Sequence, residues 1–393
     1  MITPELVKEA ANEVFHSVLG FRQHLHQHPE LSFQENQTAD FIAQQLRQAG
    51  ITEFNTGVAG TGIVGTITGG KPGPVLALRA DIDALPIQEE NEVDYKSQVP
   101  GVMHACGHDV HSACLFGALQ IINRFKADLA GSVKFIFQPG EELLPGGASL
   151  MIAEGVLENP SVNHILGQHV FPELPAGKVG FRPGMYMAST DEIYITVTGK
   201  GGHGAMPHQT VDTILVAANI ITQLQQVVSR RANPTVPTVL SFGRIEGLGA
   251  TNVIPGTVKI EGTFRTFNED WRNQAHQIIE HQIGTLAQSM GAEAHINIVR
   301  GYPALRNHEE LTMQMNKAAK VFLGEDNVVA LEMRTTAEDF AFYSQQIPAC
   351  FYRLGVRNEE KGIVYGVHHP KFDIDPSALE VGSGLMAWLA LQS

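Results

Sequence analysis

No stretch of the 393-residue sequence approaches the roughly 20 apolar residues that a membrane-spanning helix needs, which excludes a helical membrane protein. Basic residues are scarce: Lys and Arg total 27 against 41 Asp and Glu, for a formal charge of -14. Such a surface repels nucleic acid and anionic membranes. Cysteine is sparse too, and Cys106, Cys114 and Cys350 are an odd number in a large chain, which argues against a disulfide framework and for a reducing compartment. Residues 1–19 mix acidic, basic and apolar side chains and lack the basic start and apolar stretch of a secretory signal, so a cytoplasmic protein is expected. There is no low-complexity run, and 43% apolar with 17% charged residues is the composition of an ordinary globular protein. At roughly 100–200 residues per domain the length implies two domains.

What is present has a clear order. Residues 38–49 place Phe41, Ile42, Leu46 and Ala49 on one helical face, with Gly50 at a C-terminal cap position. Short apolar runs at 75–78 and 133–137, bounded by Gly and Pro, flank a helix-length apolar stretch at 112–125. Strands alternating with helices predict a largely parallel, covered sheet. Each run leads into polar residues: Arg79-Ala80-Asp81-Ile82-Asp83 after the first and Gln138-Pro139-Gly140-Glu141-Glu142 after the second. Residues 164–169, ending on His169, have the same form, and so do 363–367 leading into His368. Open α/β sheets place their sites at such carboxyl ends. From Asp191 the pattern changes to half-exposed alternation. Helices near 211–229 and 269–290 and strands near 191–198, 238–245, 257–264 and 294–299 give the order β-α-β-β-α-β, a ferredoxin-like unit. The expected architecture is an α/β catalytic domain of residues 1–188 and 304–393, with residues 189–303 inserted as an α+β lid or dimerisation domain.

Residues 103–111 read M-H-A-C-G-H-D-V-H, and three histidines, a cysteine and an aspartate in nine positions suggest metal. A thiolate and an imidazole two residues apart can face one ion if the residue between them allows a tight turn, and Gly107 supplies that freedom. A capped helix start with a buried cysteine is the plainer explanation; Cys114 and Cys350, without such neighbours, read as core. The adjacent carboxylates Glu141 and Glu142 would repel each other in a closed site unless a cation intervened. One can ligate while the other moves the proton of a water, the two parts that metal-assisted hydrolysis needs. An acidic pair beside Pro and Gly is otherwise a solvated turn.

The succession RADIDALPI, MHACGHDVH, FQPGEE, GQHVFP, GKGGHGAMPH, NVIPG, EGTFR, TAEDF and HHPKFD, from about His24 to Asp373, resembles the hippurate hydrolase and indole-acetyl-amino-acid hydrolase-like amidohydrolases. These sit within the wider aminoacylase and carboxypeptidase family of dinuclear metalloenzymes. The resemblance implies two divalent metal ions, zinc or manganese foremost and cobalt or nickel also compatible, held by Cys106, His108, Glu142, His169 and His368, with Cys106 bridging and Glu141 as general base. It implies that Asp81 orients a ligand. It further implies a homodimer in which His203 reaches the partner's site to steady an oxyanion, while Asn252 and Arg265 hold a substrate carboxylate. Two positions depart from the family pattern, Thr210 and Thr213 standing where Gly and Pro are usual, at a helix start where threonine can cap.

The expected reaction is hydrolysis of the amide of a small N-acyl amino acid, releasing the amino acid and a carboxylic acid. A dipeptidase or carboxypeptidase of the same family, a non-catalytic metal or ligand-binding homologue, and a thiol hydrolase with Cys106 as nucleophile are the alternatives.

Overall fold

The computed structural model describes residues 2–392, and the chain divides into two units. The first comprises the chain up to Gly184 together with Arg306–Glu332 and the segment from Asp339 onward; the second comprises Met185–Leu305 and Met333–Glu338. Among the described residues no helix is long and apolar enough to cross a membrane.

In the first unit two helices, α1 (Pro4–Gln27) and α2 (Asn36–Gln48), precede an eight-stranded sheet. Its strands are β1 (Phe54–Val58), β2 (Gly62–Thr68), β3 (Lys71–Asp81), β4 (Ala130–Gln138) and β5 (His164–Pro175), joined by Ala349–Arg357, Val179–Phe181 and Val328–Ala330. The spatial order is β1-β2-β4-β3-β5, then Ala349–Arg357, Val179–Phe181 and Val328–Ala330. β4, β3, β5 and Ala349–Arg357 run parallel in the middle. β3 is buried without interruption from Leu76 to Asp81, as a strand covered on both faces must be.

The helix α3 (His108–Arg124) follows β3 and is buried on nearly every side. Phe116 on it stacks on Phe21 of α1 at 4.5 Å between ring centroids. The C-terminal helix Ser377–Leu391 is likewise buried along most of its length, as its apolar composition requires.

One apolar run behaves differently from its pattern. Residues 363–367 form no strand beyond an isolated bridge between Asn358 and Ile363, and Val364 and Tyr365 are exposed. Strand Ala349–Arg357 already pairs with β5 on one edge and Val179–Phe181 on the other, so no neighbouring edge is open to this run. His368 therefore stands in a loop, at a positive φ of 64° that a non-glycine residue adopts only when its surroundings impose it.

The second unit has a four-stranded antiparallel sheet ordered Thr238–Glu246, Thr257–Thr266, Asp191–Thr198, Glu293–Arg300, and its chain order is β-α-β-β-α-β. Ile193, Ile195 and Val197 alternate inward against Val216, Ile220 and Leu224 of helix Thr213–Gln226 and Ala275, Ile279 and Ile283 of helix Glu269–Ser289. The first helix is capped by Asp212, whose carboxylate accepts the Leu215 N–H at 3.0 Å. Thr213 instead turns inward and donates to the Pro255 carbonyl at 2.7 Å. Thr210, before the helix, donates to the Pro207 carbonyl at 3.1 Å.

Candidate metal centre

The centre begins with a turn that only glycine makes comfortably. Gly107 has φ of +84°, and a Cβ there would fall 2.6 Å from Val170 Cγ2. Cys106 lies just before this turn and His108 opens α3 just after it, both buried. β5 continues past the end of its pairing with β3 and carries His169, whose Nε2 is 3.6 Å from Cys106 Sγ. The loop after β4 brings Glu141 and Glu142, with Glu142 N–H donating to Asp83 Oδ2 at 3.0 Å. His368 arrives from the C-terminal side, its own N–H donating to the Ala105 carbonyl at 2.7 Å.

Hydrogen bonds select the ring atoms left available. His169 Nδ1 faces the Val170 carbonyl at 2.7 Å and must carry the hydrogen, which leaves a lone pair on Nε2. His108 Nδ1 faces Asp83 Oδ1 at 3.1 Å, again leaving Nε2, which is buried and has no hydrogen-bond partner among the described residues. Carboxylate or carbonyl partners on the far nitrogen are how metal-binding histidines are oriented. His111 is different: Nδ1 donates to Asp81 Oδ1 at 2.6 Å and Nε2 accepts the Val170 N–H at 2.9 Å, so neither nitrogen remains.

The available atoms fall into two triads that share one sulfur. Cys106, His108 and His169 form one, and Cys106, Glu142 and His368 the other, the donor atoms in each lying within 4.8 Å of one another. His108 with Glu141 and Glu142 makes a further such group. Glu142 Oε1, buried and without a hydrogen bond among the described residues, lies 3.3 Å from His368 Nε2 and 3.9 Å from His108 Nε2. A buried lone pair on His108 Nε2 beside a carboxylate and a thiol fits a cation and leaves polar groups unsatisfied otherwise.

The local potential favours positive charge. Contacts to Cys106 and Glu142 hold the His368 imidazolium up to about 10. Burial would lower His108, yet Asp81, Asp83 and Cys106 raise it well above the usual histidine range. His169, buried near Arg353 and His111, is pushed well below that range and stays neutral, the form that ligates. Burial and the neighbouring Glu142 push the Cys106 thiol up, a cost that a cation would offset.

The other sequence candidates fall in several places. Asp81, fully buried, is gripped by His111 and by Arg79 Nη1 at 2.7 Å, and its Oδ2 stands 3.7 Å from His108 Nε2. The direct bond to the far side of His108 comes from Asp83, which the sequence did not single out; it sits in the same RADID segment, two residues on and just past the end of β3. Asp109 turns away to a buried network, bound by Arg22 Nε at 2.8 Å and His26 Nδ1 at 2.8 Å. His104 is buried, and neither ring nitrogen makes a hydrogen bond among the described residues. His203, Asn252 and Arg265 lie in the second unit. His203 is exposed, and its Nδ1 accepts the Ala205 N–H at 3.1 Å, so the neutral ring carries its hydrogen on Nε2. The Asn252 carbonyl accepts the Gly204 N–H at 2.8 Å, joining that loop to His203. The Arg265 side chain is half-buried and makes no hydrogen bond or ion pair among the described residues, although burial, which lowers it, is partly opposed by the charge of Asp191.

Comparison with known proteins identifies the family. Residues 77–392 match the model of peptidase family M20/M25/M40. The chain is 43% identical over 309 residues to an N-acyl-L-amino acid amidohydrolase of Geobacillus stearothermophilus, covering 79% of this chain and 83% of that one. It is 37% identical over 383 residues to an IAA-amino acid hydrolase of Arabidopsis thaliana, covering 96% and 86%. The crystal structure of a dinuclear metal binding peptidase of this family from Bacillus subtilis superposes with a TM-score of 0.83 at 35% identity, covering 96% of this chain and 98% of that one. Such a family implies two divalent ions, and the paired triads around Cys106 are suited to them. The chain belongs to peptidase family M20/M25/M40 and is a metal-dependent amidohydrolase.

Proposed function

We propose that the protein hydrolyses the amide bond of N-acyl amino acids. One observation carries the reading: two donor triads share the Cys106 sulfur, with Glu141 buried against them and its Oε2 4.0 Å from His108 Nε2. In this reading Cys106, His108, Glu142, His169 and His368 hold two divalent ions, zinc or manganese foremost, since a thiolate with imidazoles and one carboxylate suits either. When bound, the ions polarise a carbonyl and acidify water.

The protein's own groups do the rest. Glu141 takes the proton as water oxygen adds to the acyl carbon and returns it to the departing amine nitrogen. The C–N bond breaks, and a carboxylic acid and a free amino acid leave. Asp83 keeps His108 in the tautomer that offers Nε2. Arg265, half-buried and with no side-chain ion pair among the described residues, suits the substrate carboxylate together with Asn252. His203, exposed with Nε2–H free to donate, suits an oxyanion presented by a second copy in a homodimer. The second unit is in this view the lid and the dimerisation surface.

The test is a panel of acetyl-, benzoyl- and indole-acetyl-amino acids with dipeptides, offered to metal-loaded protein. Release of amino acid from acyl-amino acids supports the reading, release from dipeptides alone makes the protein a peptidase, and no release from any refutes hydrolysis. Glu141→Gln should retain both ions and lose turnover.

A further inference from the structure

Behind the centre lies a charged cluster that no step above uses. Arg79 and Asp339 are buried, at 1% and 0% exposure, and come from opposite ends of the first unit's sequence. The guanidinium of Arg79 forks three ways: Nη1 donates to Asp81 Oδ2 at 2.7 Å, Nη2 to Asp339 Oδ1 at 2.6 Å, and Nε to Gln138 Oε1 at 2.9 Å. Gln138 Nε2 in turn donates to both oxygens of Asp339, at 2.9 and 2.7 Å, and the Ala148 N–H donates to Asp339 Oδ2 at 2.9 Å. The backbone N–H of Asp339 then donates to Glu141 Oε1 at 3.3 Å.

We infer that Arg79 and Asp339 are positioning residues for Glu141, a reading that rests on the general-base role given to Glu141 above. The Asp339 carboxylate, clamped on both oxygens, fixes the main chain at that residue, and this aims its N–H at Glu141 Oε1. With Oε1 so held, Oε2 is the oxygen that faces His108. The same guanidinium grips Asp81, which His111 binds and which stands beside His108. One rigid fork therefore sets the base in register with the donor atoms it must work beside. Buried ion pairs are poor devices for stability, since apolar side chains of like volume do as well or better, so placement is the better reason for this one. Arg suits the task because its planar fork spans two carboxylates, which the single ammonium of Lys does not.

The test uses metal-loaded Asp339→Asn and Arg79→Lys proteins. Both oxygens of Asp339 receive N–H donors, so an amide nitrogen at either place sets donor against donor. Lysine keeps the charge of Arg79 and loses the fork. Each variant is expected to lower kcat by about 10–100-fold, with KM within about twofold of wild type and bound metal per chain unchanged. Crystal structures of the variants should show the Glu141 carboxylate displaced from the N–H of residue 339. Unchanged kcat, or an unmoved Glu141, overturns the inference. So does a loss of bound metal in parallel with kcat, which marks a purely structural role; a lower melting temperature alone is expected of any broken buried ion pair and does not decide. If Asp339→Asn does not fold, Arg79→Lys decides by the same readouts. A wild-type protein inactive on every amide would refute the functional reading instead, while the position of Glu141 in the variant structures would still decide this one.

Discussion

Replacing Asp83 by Asn changes one oxygen for an amide nitrogen and should disable the centre without removing a ligand. Asp83 Oδ1 accepts from His108 Nδ1 at 3.1 Å, while Oδ2 accepts from Ser32 Oγ at 2.6 Å and from the Glu142 N–H at 3.0 Å. The carboxylate thus holds two proposed ligands at once. Burial works against its charge, but the His108 and Ser32 contacts and the Glu142 N–H keep it below the usual carboxyl range, so it is ionised at neutral pH. Asparagine has two ways to sit. With its nitrogen toward His108, the ring must hand Nδ1 a lone pair and place its hydrogen on Nε2, the atom that has to ligate. With its oxygen toward His108, the nitrogen meets the Glu142 N–H and leaves a buried donor unpaired, which costs about 1–3 kcal/mol.

Either arrangement predicts a loss of about 10–100-fold in metal affinity, the usual effect of removing a ligand's hydrogen-bond partner, equivalent to about 1.4–2.8 kcal/mol. The assay is competition between apo-protein and a chromophoric chelator for zinc and for manganese, with kcat measured on the reloaded protein. Metal affinity within about threefold of wild type together with unchanged kcat, an effect below about 0.7 kcal/mol, would refute the orientation argument.

Three further outcomes follow. Chelation should abolish turnover reversibly and lower the melting temperature, since a ligand at a hundred times its Kd adds about 2.7 kcal/mol to the folded state; activity that survives complete metal removal would point to Cys106 as a thiol nucleophile. Glu141→Gln and His203→Ala should each be inactive, and subunit exchange between them should restore about one quarter of wild-type activity if His203 acts across a homodimer; no recovery in verified mixed dimers would place it in its own chain's site or outside the reaction. In the second unit, burial would raise the Asp191 carboxyl, but His276 Nε2 at 2.7 Å and the Arg272 fork hold it below the ordinary range. Its contribution is present above the unfolded carboxyl pKa of about 3.9 and is lost as pH falls through the lower folded value. Asp191→Asn should therefore cost about 3–5 kcal/mol at pH 7 and flatten the acid limb of a melting-temperature profile, and an unchanged limb would contradict it.

Local chemistry was legible in the sequence wherever one turn of chain carries it. Cys106, Gly107 and His108 announce themselves because the residues that share the site are adjacent and the glycine between them explains the turn. Glu141 and Glu142 are legible for the same reason, and the covered sheet followed from apolar runs of strand length alternating with a helix. Choices made through space were not. Asp81 and Asp83 lie two residues apart at one strand end, equally acidic, and only the packing of α3 on that end decides that His108 meets Asp83 while His111 takes Asp81. The run at 363–367 has strand composition, but composition does not say that both edges of the adjacent strand are occupied. Thr213 reads as a cap by residue type; Asp212 wins because a carboxylate there reaches the Leu215 N–H, and the threonine gains a buried carbonyl instead. Asp339 is the extreme case, 260 positions from Arg79: its TAEDF segment counts toward the resemblance, but nothing in that segment says that its main chain meets Glu141. Cys106 and His108 are thus the legible part of the proposed centre, because a cysteine and a histidine flanking a glycine are a rare cluster. The groups that hold them at the right angle are common residues distinguished only by what the fold sets beside them.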